Sequence, residues 1–85
     1  MWKVELSPSA ARDLHSLESG IAARIVKKLE EAAVNPARFF ERMAGYDYFK
    51  MRVGDYRVIA LLLHKKETVY VQRIGHRKNI YDKIR

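Results

Sequence analysis

Trp2-Lys3-Val4-Glu5-Leu6 alternates apolar and polar residues, the period of a short strand with one buried face. Ser7-Pro8 then supplies a helix N-cap and a proline for the first helical position. Ala11, Leu14 and Leu17 continue at helical spacing, which predicts a first helix over 8–18. Ser19-Gly20 reads as its break. Beyond it, Ile21, Ile25, Leu29 and Ala32 form the apolar stripe of a second helix. Asn35-Pro36 ends that helix, because proline pushes the residue before it out of the α region. So short a break predicts an antiparallel helical hairpin.

Residues 36–47 read as a connector that turns near Gly45. From Tyr48 the period becomes two: Phe49, Met51 and Val53 fall on one face, Tyr48, Lys50 and Arg52 on the other. Gly54-Asp55 is spaced as a two-residue hairpin turn, and glycine in its first central position suits type II′. Tyr56–Leu63 is apolar on both faces, as a central strand is. His64-Lys65-Lys66-Glu67 is a polar link, 68–74 a further strand that Gly75 ends, and 79–85 a short helical turn, marginal by itself. Helices and strands are segregated along the chain. This predicts an α+β fold: an N-terminal strand, a helical hairpin, then an antiparallel sheet of three further strands with a short C-terminal helical turn, in one domain over 1–85.

Composition narrows the function. The 85 residues contain no cysteine, so disulfides and thiolate metal sites are excluded, which fits a reducing, cytoplasmic setting. No apolar run approaches the ~20 residues that span a bilayer, and Met1-Trp2-Lys3-Val4-Glu5 lacks the apolar core of a signal peptide. The net charge of +7 is uneven: residues 1–42 carry seven Lys/Arg against six Asp/Glu, residues 43–85 ten against four. That asymmetry favours a polyanionic partner, nucleic acid or an acidic protein.

The candidate chemistry lies in the basic half. Lys50 and Arg52 share a strand face about 7 Å apart, close to the spacing of successive phosphates on one strand, although a solvated edge strand would look the same. Arg57 enters the most hydrophobic strand, where an arginine needs a partner. Either Asp47, Asp55 or another acid pairs with it, or its planar fork lines an anion site. His76 and Arg77 follow Gly75 at a strand end, and histidine is the side chain that titrates near neutrality. Tyr81 could serve as a base only where neighbouring cations favour the phenolate. His15, His64 and His76 are far apart, and no metal-binding, phosphate-loop or nucleophile-elbow motif occurs, so neither a metal nor a cofactor is expected.

Gly54-Asp55-Tyr56-Arg57-Val58-Ile59, Gly75-His76-Arg77-Lys78-Asn79-Ile80-Tyr81 and the strand bearing Lys50 and Arg52 together resemble the RelE branch of the RelE/ParE toxin superfamily. The resemblance spans nearly the whole chain. It implies a type II toxin that cleaves mRNA in the ribosomal A site without a metal, the ribose 2′-OH attacking the adjacent phosphodiester. Carried over by residue, Lys50 and Arg52 hold or neutralise RNA, Arg57 stabilises the transition-state phosphate, Arg77 belongs to the C-terminal basic motif, and Tyr81 activates the 2′-OH. Arg73 and Lys78 complete the expected RNA-binding set. Arg52 stands where a well-studied branch has lysine, and arginine stays protonated, so base duty falls to Tyr81, Lys50 or His76. The resemblance also implies a cognate RelB-like antitoxin, a toxin–antitoxin heterotetramer, and the ribosome with its mRNA as target. Two other functions share the fold: a ParE-like gyrase inhibitor, although such chains usually lack the Lys/Arg/Tyr set, and a degenerate module that only binds RNA or antitoxin.

Overall fold

The computed structural model describes residues 1–84; Arg85, the last residue of the predicted C-terminal turn, lies outside them. A five-stranded sheet runs in the order β1-β5-β4-β3-β2. The strands are β1 (Lys3–Leu6), β2 (Glu41–Arg42), β3 (Phe49–Val53), β4 (Tyr56–Leu63) and β5 (Thr68–His76). The helices are α1 (Pro8–His15), α2 (Ser19–Ala32), α3 (Pro36–Phe39) and α4 (Ile80–Lys83). β1 pairs with β5 in parallel, and every other pairing is antiparallel.

Local chemistry sets most boundaries. Ser7 caps α1 by accepting the Ala10 N–H at 3.0 Å, with Pro8 at the first helical position. α1 ends three residues earlier than its apolar spacing predicts, because the Ser16 hydroxyl donates to the Asp13 carbonyl at 2.7 Å and closes the last turn. Ser19-Gly20 is not a break but the first turn of α2: the Glu18 carboxylate accepts the Gly20 N–H at 2.8 Å. The predicted connector contains a single helical turn opened by Pro36 and a two-residue edge strand, Glu41 and Arg42, opposite Lys50 and Phe49. At the β3–β4 turn Gly54 has φ +59°, and among the described residues only Glu67 has a positive φ outside glycine. A positive first and negative second central residue is the type II′ pattern.

Two apolar clusters sandwich the sheet. Ile25, Leu29 and Ala32 of α2 and Ala10 of α1 pack on Met51, Val58, Ala60, Val71 and Ile74. On the opposite face, Ile80 of α4 meets Ile59 and Met43, with Tyr48 and Ile84 alongside. A β-bulge lets both faces fill. Ile59 pairs with Arg73 and Ala60 with Val71, so Gln72 is the extra residue. Val71 and Ile74, three apart, thereby share the helix-covered face, while Arg73 and Gly75 turn to the other. β5 also continues one residue past Gly75, because Gly75 pairs with Arg57 and His76 with Tyr56.

Candidate nucleic-acid interface

The face that carries α4 also gathers cations. Alternation along β3 sends Lys50 and Arg52 there, and β4 adds Arg57, whose Cα partner across the hairpin is Arg52. Like charges directly opposite on neighbouring strands destabilise a sheet, so this pairing has a local cost. Arg57 is half-buried and finds no carboxylate among the described residues. Its Nη1 instead donates to the Gly54 and Tyr56 carbonyls, each at 2.9 Å. Those bonds hold the planar fork in place and leave Nε and Nη2 as donors for an anion. Lys50 is only loosely neutralised, 3.8 Å from the Glu41 carboxylate.

Asp55, a sequence candidate for pairing Arg57, goes to Arg77 instead. The Arg77 backbone N–H donates to the Asp55 carbonyl at 2.8 Å, and its guanidinium lies 3.8 Å from the carboxylate. Tyr81 is carried by α4 and is 39% exposed. Its neighbour Ile80 fixes where α4 sits: a Cβ on Gly75, the strand partner of Arg57, would lie 3.1 Å from Ile80 Cδ1. Glycine is therefore what lets α4 close beside Arg57.

His76 is placed differently. Strand alternation puts it with its partner Tyr56 on the helix-covered face, their rings edge to face at 5.4 Å. Its Nδ1 accepts the Lys78 N–H at 3.1 Å. That bond engages the Nδ1 lone pair. Lys78 is exposed, and its side chain extends from the loop before α4. Arg73 does not project freely: Nε and Nη2 bind the Asp13 carboxylate at 2.8 and 3.1 Å.

Asp13 itself was not singled out by the sequence. β1 covers β5 only to Val71, so the Ile74 N–H would be left open at the edge, and Asp13 accepts it at 2.9 Å. Lys83 Nζ of α4 lies 3.5 Å from the same carboxylate. Burial would raise the Asp13 carboxyl, but hydrogen bonds from Arg73 and the Ile74 N–H, with the charges of Lys83 and Arg73, outweigh it and hold it below its usual value. The same bond raises the Arg73 guanidinium.

A second set of cations was also missed. A groove of about 550 Å³ along the β3 edge is lined by Lys28, Arg38, Phe39, Glu41, Lys50 and Arg52. A neighbouring one of about 330 Å³ is lined by Arg24, Lys27, Lys28, Glu31 and Arg52. Arg52 thus joins the α4-bearing face to α2. The half-chain charge balance hid these residues, yet the i, i+3, i+4 spacing of Arg24, Lys27 and Lys28 marks one helix face. Among the described residues no three His, Cys, Asp or Glu side chains gather as metal ligands. No helix among them is long and apolar enough to cross a membrane.

Known proteins share this architecture. The family described as ParE toxin of type II toxin-antitoxin system, parDE, matches residues 4–81. Toxin RelE3 of Methanocaldococcus jannaschii is 30% identical over 94% of this chain and 96% of its own. The toxin–antitoxin complex RelBE2 of Mycobacterium tuberculosis superposes with a TM-score of 0.80 at 29% identity, covering 89% of this chain and 98% of that one. The intact RelBE complex of E. coli matches at 0.78 and 21% identity over 89% and 96%, a likeness of fold. The chain belongs to the RelE/ParE superfamily of type II toxin–antitoxin toxins, on its RelE branch.

Proposed function

We propose that this toxin is a ribosome-dependent endoribonuclease that cleaves mRNA in the A site by metal-independent attack of a 2′-OH. The O2′–P bond forms, the P–O5′ bond breaks, and the products are a 2′,3′-cyclic phosphate and a 5′-OH. Tyr81 takes the 2′ proton, and water supplies the proton with which the departing O5′ becomes the 5′-OH. Arg57, Arg52 and Lys50 face the phosphate as it gains charge, and cations fixed in advance stabilise that state more than the ground state. Arg77 and Lys78 hold the flanking backbone, while Arg73, spent on Asp13, supports the scaffold. His76, with its Nδ1 engaged and its ring against Tyr56, is the weaker candidate for the base. The carrying observation is Arg52 opposite Arg57, beside the helix of Tyr81.

The partner in this reading is a cognate RelB-like antitoxin, whose acidic or amphipathic segment would cover the basic face, forming a heterotetramer in the cytoplasm. The decisive experiment is primer extension on translated mRNA after induction. Cuts at codon-defined positions that disappear in Arg57→Ala, with the fold retained, are expected. Arrested growth over intact transcripts would defeat the proposal. The matching family is described as ParE, so a second reading is inhibition of DNA gyrase. Blocked supercoiling without RNA cleavage would favour it.

A further inference from the structure

We infer that Asp13, on α1, is a positioning residue for Tyr81, acting through a latch to Lys83 that seats α4 beside Arg57. The inference rests on the reading that Tyr81 takes the 2′ proton.

α4 has four residues, Ile80–Lys83, far too few to hold a helical turn unaided. Two of its contacts flank Tyr81. Ile80 is fully buried against Ile59 and Met43. One turn later, Lys83 Nζ reaches the Asp13 carboxylate at 3.5 Å and the Ile74 carbonyl at 3.4 Å. Both contacts close over Gly75, where a Cβ would lie 3.1 Å from Ile80 Cδ1 and 3.2 Å from Lys83 Nζ. Tyr81 sits between the two anchors in sequence. Ile80, with Ile84 beside it, holds α4 against the sheet by apolar contact alone, and the directional polar contact of Lys83 fixes its orientation.

The fixed end of the latch is unusually well held. Asp13 Oδ2 accepts from Arg73 Nε at 2.8 Å and from the Ile74 N–H at 2.9 Å, and Oδ1 from Arg73 Nη2 at 3.1 Å. The Asp13 side chain is 9% exposed, that of Lys83 34%. A rigid carboxylate thus meets a softer ammonium over one long contact, and the Ile74 carbonyl accepts a second from the same ammonium. Lys83 can be removed without breaking the Asp13–Arg73 pair, which separates positioning from folding.

The test uses the 85-residue toxin with programmed ribosomes and compares Tyr81→Phe, Lys83→Ala, their double variant and Lys83→Arg. Lys83→Ala is expected to lower kcat about 10- to 100-fold, as a small displacement of a reacting group does, with KM within about twofold. Residues 80–84 should exchange amide hydrogens faster, and Lys83→Arg should restore much of the rate. On the Tyr81→Phe background, Lys83→Ala should cost nothing further, because a residue acting through Tyr81 has nothing left to position. An inactive Tyr81→Phe with a fully active Lys83→Ala overturns the latch alone. Wild-type rates in Tyr81→Phe overturn the proton assignment beneath it, and the latch with it. A full, multiplicative loss in the double variant shows that Lys83 acts by another route and rejects the inference.

Discussion

Two charged clusters flank Gly75, and they are built on opposite terms. Around Asp13, one nearly buried carboxylate meets a bidentate arginine, a backbone N–H and a lysine, so every charge has a partner. Around Arg57, three cations share a face with one carboxylate 3.8 Å from Lys50, and two arginines stand opposite each other across a hairpin. The first arrangement satisfies what folding demands of buried charge. The second leaves charge uncompensated where pairing would have been more stable, and such local violations mark sites that serve something other than the fold. The proposed function assigns that surplus to RNA.

Replacing Arg57 should give the largest effect and show the asymmetry best. Arg57→Ala should lower cleavage by roughly 10²–10³-fold, the loss seen when one preoriented donor leaves a developing oxyanion. Thermal unfolding should barely change. Two bonds to turn carbonyls disappear, but so does the repulsion from Arg52, leaving a net cost below about 1 kcal/mol. A large drop in stability would mean that Arg57 belongs with the structural cluster after all.

Asp13→Ala should do the reverse, destabilising the fold by about 2–3 kcal/mol, below the range for a fully buried pair because Arg73 keeps some solvent contact. The pH dependence has a fixed sign. The folded carboxyl lies below its unfolded value of about 3.9, so its contribution is complete above that pH and fades as pH falls through the folded value. Urea titrations of wild type and Asp13→Asn should therefore differ most near neutrality and converge in strong acid. A gap that widened on acidification would contradict the network.

The two clusters also differ in how much of them the residues alone reveal. The basic face follows from local rules: alternation assigns Lys50 and Arg52 to one side of β3, and glycine at 54 fixes a II′ turn that sets Arg57 opposite Arg52. The Asp13 network joins residues 60 to 70 apart in sequence. It depends on β1 stopping short along β5 and on the bulge at Gln72, neither of which has a local period to read. The same bulge and alternation send His76 to the helix-covered face. β2, with two residues, is too short for any pattern, and Ser19-Gly20 is ambiguous until Glu18 is seen to cap it.

At the seam, Gly75→Ala should separate activity from stability. The added methyl meets Ile80 Cδ1 at 3.1 Å, and Ile80 is fully buried and has little room to retreat. Crowding and the entropy gained by losing a glycine are of similar size and opposite sign, so stability should move by less than about 1 kcal/mol. Cleavage should fall further than that, because the strain is relieved by tilting α4. Equal losses in both would place Gly75 in the fold rather than at the site.

The smallest effect is the most diagnostic for the opposed arginines. Arg52→Gln removes one of two like charges that the hairpin holds in register, so the variant should be more stable by a few tenths of a kcal/mol. Arg52 is exposed, so salt should erase that gain over the range in which the Debye length shrinks below their separation. RNA binding should move the other way. One lost phosphate contact lowers the slope of log affinity against log salt by about 0.7 for a single strand. A stabilised fold with a shallower salt slope is what a repulsive pair relieved by an anion requires. Stabilisation with an unchanged slope would leave Arg52 as mere surface charge, and Arg57 with Lys50 at the phosphate.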